Sequence, residues 1–184
     1  MDANLSKQYN KIGKDYIAEQ KEFYKSKSDE ATLFLTKYIP ELNGKTCLDL
    51  GSGSGDELKL LEKKGCTNAF GIDASKLMVL EAKKRVKKPE NVFIASFEKM
   101  PFENEKFDFI ISRFALHYLK NLDKTWKEIG RVTKKSGIMI IVVHHPFKDL
   151  IKQKIKLYGR QEIISSKVYK NKVEIKYPSH TLKD

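Results

Sequence analysis

Asp49 and Asp73, with Gly51, Gly53 and Gly55 between them, are the residues whose types and spacing could do chemistry together. The glycines alternate with Ser52 and Ser54 directly after the apolar run Thr46-Cys47-Leu48-Asp49-Leu50, and a stretch of helical composition, Glu57-Leu58-Lys59-Leu60-Leu61-Glu62-Lys63-Lys64, follows. A strand, a glycine turn and a helix let a backbone approach a ligand closely and aim the unpaired amides of a helix start at it. A dinucleotide site would carry its third glycine at position 56, to pack helix on strand around a pyrophosphate. Position 56 is Asp, and Asp49 adds a second carboxylate. The pattern therefore suits a ligand bearing an ammonium group and hydroxyls better than one bearing phosphates. Asp73 ends the next apolar run, roughly 20 residues past the first glycine, where an acidic side chain meets a ribose and accepts from its hydroxyls. Its other reading is a helix N-cap, a role for which Ser75 competes.

Three of the four histidines, all of which follow Asp73, are candidates for chemistry. His117 lies just past the apolar run Phe107–Ser112 and is a candidate general base, because an unperturbed pKa of about 6.5 allows proton uptake at neutral pH. A histidine partly buried on the next helix is the equal alternative. His144 and His145 stand at the end of the fifth apolar run and read as lining for a substrate pocket. No carboxylate or third histidine is spaced to complete a metal set with them, so no metal site is expected. Cys47 and Cys66 have no metal spacing either and read as reduced and structural.

The elements that must position these residues alternate. Residues 4–25 form an amphipathic helix with Tyr9, Ile12, Tyr16 and Phe23 on one stripe. Ser28 caps a second helix, residues 29–38, which Pro40 and Gly44 close. Strands are expected at 46–50, 68–72, 91–95, 107–112 and 138–143. A helix over 76–86 turns Val79, Ala82 and Val86 inward and Lys83, Lys84, Arg85, Lys87 and Lys88 to water, and Pro89 ends it. Leu122, Trp126 and Ile129 mark a further helix, after which Ser136-Gly137 turns into the fifth strand. Strands alternating with helices give an α/β fold with a doubly wound, mostly parallel sheet, and such sheets bind ligands at the carboxyl ends of their strands.

At 184 residues this is a single domain by size. No apolar run approaches the roughly 18 residues of a membrane span, and Met1-Asp2-Ala3-Asn4 lacks a secretory pattern, so a cytoplasmic protein is expected. The net charge of +12 invites a nucleic-acid partner. Against that, the basic residues are mostly lysine. The arginines are Arg85, Arg113, Arg131 and Arg160, and arginine is the better planar recogniser of phosphates and bases. Oligomeric state is not legible in the sequence.

Asp49-Leu50-Gly51-Ser52-Gly53-Ser54-Gly55 resembles the first motif of the class I S-adenosylmethionine-dependent methyltransferases. Gly71-Ile72-Asp73-Ala74-Ser75 is similar to their second. Met100-Pro101-Phe102 with Phe107-Asp108-Phe109-Ile110-Ile111-Ser112 is similar to their strand 3 to strand 4 region. Glu128-Ile129-Gly130-Arg131-Val132-Thr133-Lys134-Lys135-Ser136-Gly137 resembles the entry to strand 5. The likeness is nearest to the small-molecule branch that includes quinone-biosynthesis enzymes. It implies a Rossmann-like fold with helices on both faces, the cofactor S-adenosyl-L-methionine, the product S-adenosyl-L-homocysteine and a small-molecule methyl acceptor. An RNA methyltransferase and a non-catalytic binding module of the same fold are the alternatives, and a nicotinamide dehydrogenase is more distant. No Asn/Asp-Pro-Pro-Tyr run follows the fourth strand, which argues against the adenine-amino and glutamine-amide branches.

By the same resemblance, residues 1–45 cap the cofactor pocket, 46–147 bind the cofactor and 148–184 form a basic, variable substrate segment. Gly51, Ser52, Gly53 and Gly55 meet the aminoacyl end, Asp49 lies near the ammonium, Asp73 and Ala74 stand at the ribose, and Tyr16 reaches the methionyl carboxylate. Ser96 stands where relatives carry an acidic residue, with Phe97 or Glu98 beside the adenine. Ser112 and Arg113 complete the cofactor set, and Tyr16, Phe97 and Phe114 are candidates to face the sulfonium. The chain stops where the family's last helix and β-hairpin would begin, so either a truncated chain or a five-stranded sheet with an exposed edge is expected. Replacing Asp73 by Ala should weaken cofactor binding about tenfold or more, because hydrogen bonds to a charged group contribute about 1.5–3 kcal/mol. Calorimetric titration showing unchanged affinity would remove Asp73 from the site.

Overall fold

A computed structural model describes residues 3–26, 30–119, 122–143, 163–168 and 173–178. Helices α1 (Ala3–Ser26) and α2 (Glu30–Tyr38) precede strand β1 (Thr46–Leu50). Then come α3 (Asp56–Lys63), β2 (Asn68–Asp73), α4 (Lys76–Lys83), β3 (Val92–Ile94), β4 (Phe107–Arg113), α5 (Asp123–Val132) and β5 (Thr133–Val142). The sheet order is β3-β2-β1-β4-β5 with every neighbouring pair parallel. The order reverses beside β1, so the glycine turn after β1 lies at the topological switch point.

β1 and β4 read as apolar runs because both faces of the sheet are covered. Leu48, Leu50, Ile72, Phe107 and Ile110 pack with Ile129 and Val132 of α5 on one face. Cys47, Phe109 and Ile111 pack with Leu35 and Ile39 of α2, Leu58 and Leu61 of α3, and Val79 and Ala82 of α4 on the other. Both cysteines are free thiols within this second cluster. The five-stranded sheet matches the sequence reading. A separate antiparallel pair, β6 (Ile163–Val168) with β7 (Val173–Pro178), forms in the basic segment for which the sequence specified no elements.

Ser136-Gly137 does not open the fifth strand as expected. Thr133 pairs with Phe107 and Ile138 with Phe109, so residues 134–137 bulge out within β5. A Cβ on Gly137 would lie 2.5 Å from Thr133 Cγ2 and 2.9 Å from the Lys134 carbonyl oxygen, so only glycine fits. The Glu128 carboxylate takes two hydrogen bonds from Arg131, at 2.7 and 2.8 Å, and one from the Met100 amide at 2.9 Å. Arg131 also donates to the carbonyls of Phe102 and Met100. Two of the sequence motifs, around Met100 and around Glu128, are thus one hydrogen-bonded unit that fastens the β3–β4 connection to α5.

Gly51 is where backbone conformation and packing both demand glycine. Its φ is +84°, and a Cβ there would lie 2.4 Å from Ala115 Cβ. A left-handed L-residue costs about 1–2 kcal/mol, and overpacking about 1–3 more. Gly51→Ala should therefore lower stability by about 2–5 kcal/mol in urea denaturation, and adding Ala115→Gly should restore part of the loss. An unchanged midpoint in the single variant would contradict this packing.

Candidate functional site

The turn after β1 folds back over the tip of β2. The amides of Gly51 and Ser52 both donate to the Ile72 carbonyl, at 2.9 and 3.0 Å, and the Gly55 amide donates to the Ser52 carbonyl at 2.8 Å. The three glycines have separate duties. Gly51 accommodates Ala115, as above. Gly55 (φ +89°) makes room for α4, since its Cβ would sit 3.3 Å from Ala82. Gly53 faces open space, where a Cβ would meet the Gly51 carbonyl oxygen at 4.0 Å and nothing nearer. The crest of the turn is thus free for close approach by a ligand.

Two carboxylates flank that crest. Asp73 Oδ2 accepts from the Gly53 amide at 3.0 Å and Oδ1 from the Ser75 amide at 2.8 Å. The cap of α4 is Ser75, whose hydroxyl accepts from the Met78 amide, so Asp73 is not spent as the helix cap. Burial pushes the Asp73 carboxyl up to about 6, against the opposing pull of the amides of Ser75, Gly53 and Ala74. Asp49, within β1, is 1% exposed, and neither carboxylate oxygen has a hydrogen-bond partner among the described residues. Burial, and then the negative charges of Glu57, Asp73 and Asp56, push it well above the usual carboxylate range, while Arg113 pulls it down. A buried polar group without a partner is costly. The Ser52 hydroxyl is also buried without a hydrogen-bond partner among the described residues.

The other charges near the turn are matched internally. Arg85 pairs with Asp56 and donates to the Ser54 carbonyl and hydroxyl, both at 2.8 Å. The sequence placed Arg85 on the solvent face and Asp56 toward the ligand. Instead they clamp the turn together, because α4 ends beside it. Arg113 pairs with Glu57 of α3 at 2.6 Å, deeply buried, and its guanidinium lies 5.4 Å from the Phe114 ring.

α1 crosses over the strand tips. The Ser6 hydroxyl donates to the Ala74 carbonyl at 2.7 Å, Asn10 accepts from the Ser75 hydroxyl at 2.8 Å, and Gln20 accepts from the Ser54 hydroxyl at 3.3 Å. Gly13 lies so close to Leu77 that a Cβ would meet its side chain at 2.7 Å. Ser6, Asn10, Gly13, Ile17 and Gln20 recur every three or four residues, so this stripe of mostly small or polar residues is the helix face that docks. Hydrophobic periodicity found only its aromatic border, Tyr9 and Tyr16, which meet edge to face at 5.4 Å. Ser6, Tyr9, Asn10, Gln20, Glu57 and Arg85 are the residues near the site to which the sequence reading gave no role there. A polar stripe at helical spacing was the available signal for three of them.

Several expected site residues are placed elsewhere. Phe97 is fully buried in the core beneath Gly51, so its ring offers no face to an adenine or a sulfonium. The Ser112 hydroxyl is spent on the Leu50 carbonyl at 2.9 Å, linking β4 to β1. Ser96 accepts from the Glu98 amide and makes an isolated bridge to Lys99. His117 sits in a 3-10 turn, Leu116–Tyr118, past β4. It is 9% exposed, with its ring 4.1 Å from that of Tyr118 and 6.5 Å from that of Phe114. His144 and His145, the Ser28 cap and the side chain of Phe23 lie outside the described residues.

The arrangement is an open glycine crest with two carboxylates near it, neither ion-paired to a cation among the described residues, which suits a cationic ligand with hydroxyls. It also has a pH signature. A carboxyl whose pKa is higher folded than unfolded binds more protons in the folded state between the two values, so stability falls as pH rises across that interval. For Asp73 the interval runs from about 4 to about 6. Partial accessibility of the residue holds its share to about 1–2 kcal/mol. Stability of the ligand-free protein should decline from pH 4 to pH 6 more steeply than that of Asp73→Asn, as read by denaturant melts. Parallel slopes would contradict the environment assigned to Asp73.

Residues 48–141 match a family model described as a methyltransferase domain. The chain is 34% identical over 139 residues to an uncharacterized protein of Methanocaldococcus jannaschii, covering 76% of this chain and 51% of that one. It is 30% identical to a demethylmenaquinone methyltransferase of Thermotoga maritima, covering 59% and 47%. An mRNA cap guanine-N(7) methyltransferase of Schizosaccharomyces pombe is 31% identical, covering 60% and 34%. The chain spans about half or less of the length of these curated relatives. A crystal structure from Listeria monocytogenes, described as an S-adenosylmethionine dependent methyltransferase, superposes with a TM-score of 0.63 at 26% identity, covering 81% of this chain and 76% of that one. With the strand order, the glycine turn and the family match in agreement, the chain belongs to the methyltransferase-domain family, with the S-adenosylmethionine-dependent fold its motifs anticipated.

Proposed function

We propose that the protein transfers a methyl group from S-adenosyl-L-methionine to a small-molecule acceptor. The observation that carries this reading is the Asp49 carboxylate, buried without a hydrogen-bond partner among the described residues and close enough to Asp73 to feel its charge, together with the open crest at Gly53. These residues fit a nucleoside that carries both an ammonium group and a positive sulfur. Asp49 would take the ammonium, Asp73 the ribose hydroxyls, and the Gly53 backbone would let the aminoacyl part lie close. The cofactor, when bound, supplies a methyl group on a sulfonium, open to in-line displacement. The chain's task is then mainly to align the acceptor and exclude water. α1 covers the strand tips and serves the second purpose, and Tyr16 and Tyr9 border the covered space. His117, near Tyr118 and Phe114, is the histidine among the described residues that could receive a proton from an acceptor oxygen, nitrogen or carbon. In this division of labour residues 1–45 cap the site, 46–147 hold the cofactor and 148–184 contact the acceptor.

A small acceptor is favoured over RNA by how the arginines are used. Arg85, Arg113 and Arg131 each bind a carboxylate of the chain itself, leaving the basic surface of the described residues to lysines. The cover that α1 forms over the strand tips favours the same choice. No helix among the described residues is long and apolar enough to cross a membrane.

The test separates fold from binding. Gly53→Ala places a methyl in open space at φ +48°, so it should cost only about 1–2 kcal/mol of stability. The same methyl should lower affinity for S-adenosyl-L-homocysteine at least about tenfold by calorimetry. Failure of the wild-type chain to bind that product would overturn the reading. Binding to a generic RNA should be weak and nearly flat in salt; a steep decline with salt would transfer the proposal to an RNA acceptor.

A further inference from the structure

We propose that Tyr9 and Tyr118 form a latch that holds α1 closed across the cofactor site, making Tyr9 a positioning residue for the bound cofactor. This rests on the cofactor reading above and goes beyond it by naming what retains the ligand.

The polar bonds of α1 described so far run to the glycine turn and to the β2–α4 loop, through Gln20, Ser6 and Asn10. All of these lie on one bank of the cleft. Tyr9 reaches the other bank. Its hydroxyl lies 3.1 Å from that of Tyr118, and the two rings meet edge to face at 6.1 Å. Tyr118 belongs to the 3-10 turn past β4, is 7% exposed and contacts His117 ring to ring. Tyr9 is also near enough to Asp73 for that carboxylate to oppose ionisation of its phenol, after burial and the hydroxyl neighbours have done so. The pair therefore spans the mouth above Asp73, with the Tyr9–Tyr118 hydroxyl bond joining α1 to the β4 side. β7 runs against both α1 and this turn, so the hairpin lies beside the same junction.

A bond placed there has a kinetic consequence. A ligand lying between the glycine crest and α1 leaves only when α1 lifts, and lifting α1 breaks the Tyr9–Tyr118 bond while the β2 and β4 sides stay folded. Removing either hydroxyl should speed escape by the worth of one hydrogen bond, about fivefold for about 1 kcal/mol. Both rings remain in the phenylalanine variants, so the edge-to-face packing is kept and the folded state persists.

The experiment uses the full chain with Tyr9→Phe, Tyr118→Phe and the double variant. In the ligand-free protein, amide hydrogen exchange of residues 6–17 should be about fivefold faster in each single variant and no faster again in the double, with the amides of β1 unchanged. With S-adenosyl-L-homocysteine as probe, the dissociation rate should rise by the same factor and show the same non-additivity, while association changes little. Unaltered exchange in α1, or effects that multiply in the double variant, would overturn the latch. A general loss of protection that includes β1 would also overturn it, by making the pair a plain stability contact. A chain in which exchange responds as stated but wild type binds no S-adenosyl-L-homocysteine keeps the latch and refutes the cofactor reading instead.

Discussion

The hydrogen bond from the Gly53 amide to the Asp73 carboxylate is the contact on which the site depends. It joins the turn leaving β1 to the tip of β2, and the backbone around it is set by two further bonds from Gly51 and Ser52 to the Ile72 carbonyl. The turn cannot take that path unless its glycines adopt positive φ, and it cannot lie flat on the strand tips unless Gly51 and Gly55 leave room for Ala115 and Ala82. Packing at two of the glycines and openness at the third together make a shelf with a carboxylate at its edge. The parallel sheet beneath supplies the rigidity, since β1 is buried on both faces.

The charges around this shelf form a consistent pattern. Asp56 and Glu57 at the start of α3 each bind an arginine from elsewhere in the chain, Arg85 and Arg113. Asp49 and Asp73 do not, and both are held above the usual carboxylate range by burial first. Two carboxyls whose ionised forms carry a desolvation cost, neither ion-paired to a cation among the described residues, make sense when a cationic ligand completes them. The matched pairs serve a different end, fixing the helix start and the β4 exit so that the unmatched pair stays in place. α1 then closes the space from above through a face of small and polar residues, which lets it dock on backbone groups and leaves its aromatic border to span the cleft.

What was legible in the sequence followed from residues whose backbone or periodic demands are local. The glycine turn, the strand-ending Asp73, the Ser75 cap and the apolar strands could each be read from a few neighbours, and the doubly wound, mostly parallel sheet followed from the alternation of elements. Arg85 could not, because a cation in a lysine-rich helical run looks like a solvated one until the turn of another element is brought beside it. Phe97 could not, because an aromatic residue after a strand gives no sign of whether it faces a pocket or the core. The hydroxyl of Ser112 looked available for the same reason and is spent on a neighbouring strand. The bulge in β5 was misread as a turn because Ser-Gly suits either, and only the pairing with β4 separates them. In α1 the search for apolar periodicity passed over Ser6, Asn10 and Gln20, whose contacts are polar.

The central claim is that Asp49 and Asp73 grip opposite ends of one cationic nucleoside across the Gly53 crest. A crystal structure of the protein soaked with S-adenosyl-L-homocysteine tests it most directly. The account predicts the ribose hydroxyls at hydrogen-bond distance from Asp73 and the amino group directed to Asp49, with the aminoacyl chain lying over Gly53. Density for the ligand on another face, or carboxylates of Asp49 and Asp73 turned away from it, would contradict the claim.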